Sequence, residues 1–171
     1  MYRKNAYEAS SSPQPLFFLL LIVASTFLVA CAFGNDAKGC QKTIREPRAA
    51  DYLLHVLVDT DTEYLSDPPT SGPHKVWIAP RVIAKQLSPS EQLGILEHGD
   101  ILIQYRPSAV TNSQISTWET SVSERAHFAP NSGLPSDFVM TAHLTKQICT
   151  HLATEAIERF VEANLDAIQR N

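Results

Sequence analysis

Asp100-Ile101-Leu102-Ile103-Gln104-Tyr105 is the strongest strand signal in the chain. It is aliphatic and aromatic almost throughout, and it stops at Arg106-Pro107-Ser108. Just before it, Ser88-Pro89-Ser90-Glu91 reads as a helix start. Ser88 is a candidate N-cap, Pro89 suits the first helical position and Glu91 completes a capping box. That helix is short, because Gly94 and Gly99 follow.

Downstream, Ile115, Trp118 and Val122 recur at helical spacing within Asn112 to Glu124. His127-Phe128-Ala129 and Phe138 to Leu144 read as strands, with a turn region from Pro130 to Asp137 between them. Thr150 to Gln169 places Ile157, Phe160, Val161, Leu165 and Ile168 on one face, with the charges mostly off it. Upstream, Tyr52 to Val58 reads as a first strand entering Asp59-Thr60-Asp61. Thr62 to His74 carries Pro68, Pro69, Gly72 and Pro73, so it is an ordered, extended loop. This order of elements predicts an α+β fold, a small mixed sheet with helices packed on one side and a C-terminal amphipathic helix.

The N-terminal part is of another kind. Leu16 to Phe33 is a long apolar run without a charge, preceded by Arg3 and Lys4. It reads as a secretory signal or as an N-terminal membrane anchor. Leu28-Val29-Ala30-Cys31 resembles the bacterial lipobox, which makes Cys31 the candidate lipidation site and leaves an uncleaved anchor as the alternative. Positive charge ahead of the run favours export of the downstream chain. The expected organisation is 1–34 as signal or anchor, 35–51 as tether and 52–171 as a single extracytoplasmic domain on the periplasmic or cell-surface face. Without residues 1–30, the 14 basic and 18 acidic residues become 12 and 17, a net charge of about -5. That balance disfavours nucleic acid as a partner; the membrane is the expected partner, through the N-terminal anchor or lipid, and a protein partner is left open. With Cys31 set aside, Cys40 and Cys149 form an even pair that would make one disulfide in an oxidising compartment; two free thiols are the alternative.

Chemistry rests mainly on the histidines. Of the six, His55 lies on the expected first strand, His74 ends the proline loop, and His98 lies between a short helix and the best strand. Imidazoles positioned in this way are ligands for copper or zinc. His55, His74 and His98 are the candidate metal set, with Met140, His143 or Cys149 as additional ligands. The long spacings carry none of the specificity of HExxH or CxxC, and the competing role for each histidine is to brace a loop. A metal-dependent hydrolase is a second reading, with Glu97 as the candidate general base. A non-catalytic binding or assembly module is the third. Trp77, Trp118, Tyr64 and Tyr105 are its candidate interface aromatics, although scattered aromatics usually go to the core. GxSxG, GxGxxG and GxxxxGK[ST] are all absent.

Pro68-Pro69-Thr70-Ser71-Gly72-Pro73-His74, followed by Leu96-Glu97-His98-Gly99 and an aliphatic strand, resembles the domain of unknown function 3105 family. The resemblance runs roughly from Asp51 to Asn164 and includes His55 and Val139-Met140-Thr141-Ala142. Asp100 stands where members commonly carry a second glycine, and His143 where a tryptophan often follows the Thr-Ala pair. The resemblance implies a mostly bacterial, N-terminally anchored exported protein, and it strengthens the metal reading without implying an established activity.

Overall fold

The computed structural model describes residues 39–59 and 61–165. Its strands are β1 (Ile44–Arg45), β2 (Ile101–Tyr105), β3 (Ala126–Pro130), β4 (Phe138–Ala142) and β5 (Thr145–Cys149). Its helices are α1 (Pro89–Glu97), α2 (Asn112–Ser121) and α3 (Thr154–Asn164), and Pro107–Ala109 forms a 3-10 turn. The sheet order is β1-β5-β4-β2-β3. All neighbours are antiparallel except β2 and β3, which run parallel with Ile101 opposite Ala126, joined by the α2 crossover. The fold is α+β with a mixed sheet, as the element order implies.

Helix starts follow local chemistry. At α1 the Ser88 hydroxyl accepts from the Glu91 N–H while the Glu91 carboxylate accepts from the Ser88 N–H. Thr111 and Gln114 form the same reciprocal cap on α2. Each such cap satisfies two backbone donors that a helix end otherwise leaves unpaired.

The helices are divided between both faces of the sheet, not gathered on one. Alternation along β2 decides this. Ile101, Ile103 and Tyr105 join Phe128, Phe138 and Met140 beneath Ile115 and Trp118 of α2 and Ile157, Phe160 and Val161 of α3. Leu102 faces the other way and packs with Leu93, Ile95 and Leu96 of α1. Gln104 lies on the α1 face and is fully buried there. Its amide donates to Gln92 (3.1 Å) and its carbonyl accepts from Asn131 (2.7 Å), so the polar chain inside that layer is satisfied.

Three other expectations change. The strand expected over 138–144 ends at Ala142. Thr145 to Cys149 is a separate strand, paired Phe138 to Cys149 and Ala142 to Thr145. The reversal occurs at His143-Leu144, with Leu144 at φ 57°. Tyr52 to Val58 does not enter the sheet; it forms a single bridge, His55 to His74. Residues 39–51 do not behave as a tether. β1 pairs with β5, Cys40 is bridged to Cys149, and the Ala49 N–H donates to the Ser71 hydroxyl. The apolar run 16–33, with Cys31, lies outside the described residues, as does the end of the C-terminal helix expected to run to Gln169. No helix among the described residues is long and apolar enough to cross a membrane.

Candidate functional site

The proline loop is the best-held segment of the surface layer. Pro68 to His74 is buried throughout. Three pyrrolidine rings fix φ, and Gly72 at φ 143° takes a conformation that side chains rarely adopt. The Tyr64 ring lies 2.9 Å from where a Cβ on Gly72 would stand, so the position excludes larger residues. Glu46 ties the loop to the sheet. Its carboxylate accepts from the Ser66 hydroxyl (2.7 Å), the Thr70 hydroxyl (2.6 Å) and the Lys146 ammonium (2.8 Å). Burial works to raise the Glu46 pKa, but hydrogen bonds from Lys146, Ser66 and Thr70 outweigh it and hold the carboxyl below its ordinary value.

The structure brings two of the three candidate metal ligands together. The His74 N–H donates to the Leu54 carbonyl, and the Val56 N–H to the His74 carbonyl. The two imidazoles meet edge to face, with centroids 4.8 Å apart. His74 is 4% exposed, and its Nδ1 lies 3.2 Å from the Gly72 carbonyl. A carbonyl only accepts, so Nδ1 carries a proton there, and in the neutral ring the lone pair resides on Nε2. His55 is exposed.

His98 is elsewhere. The Lys75 N–H bonds to the Ser90 carbonyl, which puts His74 near the start of α1, whereas His98 is its C-cap. Eight residues of helix separate those ends, about 12 Å. His98 lines a small cavity with Asp100 and His127 instead. His127 Nδ1 is 3.0 Å from the Pro80 carbonyl and Nε2 is 3.2 Å from Asp100, which Arg125 also grips at 2.7 Å. Burial opposes ionisation of Asp100, but hydrogen bonds from His127 and Arg125 prevail and lower its pKa.

The other candidates have other surroundings. Glu97 turns toward buried His143, with Oε1 3.4 Å from Nδ1; this is ion-pair distance without hydrogen-bond alignment. Met140 is fully buried in the core beneath α2 and α3. Cys149 and Cys40 form a disulfide. Among the described residues, no group of three or more His, Cys, Asp or Glu side chains is placed to hold a metal ion.

The aromatics divide. Trp118 is core, stacked on Phe128 at 6.0 Å. Trp77 and Tyr64 donate to the Glu91 and Pro73 carbonyls.

Two surface features escape a reading of the sequence. One is an aliphatic ribbon. Leu53, Leu54, Leu57 and Val58, on either side of His55, and Val76 and Ile78, just past its bridge partner His74, stand in solvent, with Leu57 97% and Ile78 94% exposed. The period-2 pattern of Val76, Trp77 and Ile78 was the available signal. Asp59 clamps the end of this ribbon to α1, bonding Lys75 (2.7 Å) and Ser90. Hydrogen bonds from Lys75, Ser90 and Ser88 depress the Asp59 pKa to about 2. The other feature is a groove of about 730 Å3 beside α2.

A mixed five-stranded sheet sandwiched by helices, with a buried proline loop and two apposed histidines on its rim, defines a small α+β domain with no recognisable catalytic constellation among the described residues. A family model described as "Protein of unknown function (DUF3105)" matches residues 55–170, and the chain belongs to that family. No curated protein and no solved structure matches it.

Proposed function

We propose that this chain is an exported, membrane-anchored assembly module that docks onto a partner protein and performs no chemistry itself. The aliphatic ribbon carries the reading. Six large aliphatic side chains stand in solvent on the two segments that the His55–His74 bridge joins, and exposed aliphatics gathered in this way mark an interaction surface. The uncharged run at 16–33, with lipidation at Cys31 or an uncleaved anchor, supports placement at the outer face of a membrane. In-cell photo-crosslinking tests it. A benzophenone side chain at position 57 and one at position 78 are expected to give the same discrete adduct, absent when the probe sits at Glu158 on α3. The Leu57→Asp, Ile78→Asp double variant loses a separately monitored complex. Adducts indistinguishable from those at Glu158 would refute the reading.

A second reading is favoured by the apposed imidazoles. Copper or zinc would bind His74 Nε2 together with His55, water or a partner completing the shell. The Nδ1 bond to the Gly72 carbonyl supports it, since metal-bound histidines are commonly oriented by such a bond. Dialysed protein is then expected to take up stoichiometric copper or zinc, unchanged by His98→Ala and abolished by His55→Ala with His74→Ala. Retention in that double variant refutes the site.

A further inference from the structure

The edge of the sheet beyond β3 is not bare. Arg81 to Ile83 lies alongside it, with the Phe128 N–H donating to the Arg81 carbonyl (2.7 Å) and the Ile83 N–H to the Phe128 carbonyl (2.8 Å). In that pattern the intervening Val82 directs its own N–H and C=O away from β3. Val82 and Ala84 are exposed. The Arg81 guanidinium donates to the Val122 and Ser123 carbonyls at the end of α2, so the edge segment is pinned to that helix at one end. Lys85, the residue that would blunt such an edge, is drawn off to Glu91 at 2.9 Å.

Between this edge and α2 lies the groove of about 730 Å3. Val82, Val110, Ile115 and Pro130 give it apolar walls. Tyr105 lines it, 6% exposed, and its hydroxyl has no hydrogen-bond partner among the described residues. Burial raises the Tyr105 pKa, so the phenol remains a proton donor at neutral pH. Glu119 is the charged residue of the described lining, and its carboxylate has no ion-pair partner among the described residues.

We infer that this groove binds an extended peptide segment of a partner protein, which adds as a strand to Val82 and sets a Lys or Arg side chain beside Glu119. Unpaired main-chain groups in line with a sheet select an extended backbone, which a compact small molecule cannot supply. The apolar walls take alternate side chains, since those of a strand point to opposite faces. The Tyr105 hydroxyl would give the buried face one donor for a peptide carbonyl. The site is separate from the ribbon, so either can fail alone.

The test uses full-length protein in detergent and a bead-bound library of random heptapeptides. Saturable enrichment of sequences with alternate aliphatic residues and a Lys or Arg is expected. For an enriched peptide, N-methylation of the amides that would face Val82 is expected to weaken binding about tenfold, as is Val82→Pro. Glu119→Lys alters one partly exposed side chain and should switch the preference to Asp or Glu. Failure to enrich, equal binding of the N-methylated peptide, or an unchanged charge preference in Glu119→Lys would each overturn the inference.

Discussion

Glu46→Gln should destabilise this domain more than any other single charge removal on its surface layer. The carboxylate gathers three donors, and one of them, Lys146, is 5% exposed on its side chain. Removing one partner of a buried pair costs about 3–5 kcal/mol, because the other charge is left without compensation. Lys146 keeps its 2.9 Å bond to the Ser66 hydroxyl, which places the expected loss at the lower end, about 3 kcal/mol. With a urea slope of about 2 kcal/mol per molar, the midpoint falls by about 1.5 M. Adding Lys146→Met to Glu46→Gln removes the stranded ammonium and should recover more than about 1 kcal/mol, a coupling that a double-mutant cycle reads directly. Urea titration of the fragment from Asp36 onward, followed by Trp fluorescence, is the assay. The pH dependence gives an independent arm. The folded-state pKa of Glu46 lies below its ordinary 4.5. Its contribution is therefore present above that value and is lost as pH falls through the folded pKa. Glu46→Gln should flatten this part of the acid limb. A midpoint shift under about 0.5 M, or strictly additive single changes, would refute the view that Glu46 and Lys146 act as a unit.

Gly94→Ala should unfold or loosen the ribbon, since a Cβ there would stand 2.2 Å from the Lys75 carbonyl and 2.8 Å from the Trp77 ring; a cost of about 3 kcal/mol is expected in urea titration. Reducing the Cys40–Cys149 disulfide frees a loop with a sequence separation of 109. Chain entropy alone sets that loss at about 4.8 kcal/mol, and no change of midpoint in dithiothreitol would contradict it. Asp59 titrates near 2 in the fold against 3.8 ordinarily. Its stabilisation is present above about 4 and disappears as pH falls toward 2, so thermal scans of Asp59→Asn should lose that part of the wild-type slope.

Local signals were legible where a residue acts on its immediate neighbours. The Ser88–Glu91 cap, the β2 run and the α3 stripe all lie where the residues indicate. The β4–β5 reversal was hidden because it uses His143-Leu144, with no Gly, Asn or Pro, so two strands read as one run of text. The Tyr52–Val58 run misled for the opposite reason. Its aliphatics face water, and a sequence pattern cannot distinguish a buried strand from an exposed segment. Likewise nothing local marks residues 39–51 as part of the fold, since Cys40 finds Cys149 and Glu46 finds Lys146 about a hundred residues away, and even Ser66 and Thr70 lie beyond the reach of a local pattern. His98 failed to join His55 and His74 because long spacings do not specify which end of α1 each residue reaches.

The disulfide also sets how the molecule bears tension. A pull applied at the two chain ends passes from Cys40 straight to Cys149, through a covalent bond. Residues 41 to 148, including the ribbon, the proline loop, the groove and four of the strands, lie outside the loaded path. Of the described helices and strands, α3 is the one that lies wholly on the loaded path, C-terminal to Cys149. Under reduction the same pull reaches everything, and the extra slack, a sequence separation of 109 at about 3.5 Å per step, is roughly 380 Å. A pull on the chain before Cys40 and after Cys149 would thus leave the segments between them unloaded only while that bond is oxidised.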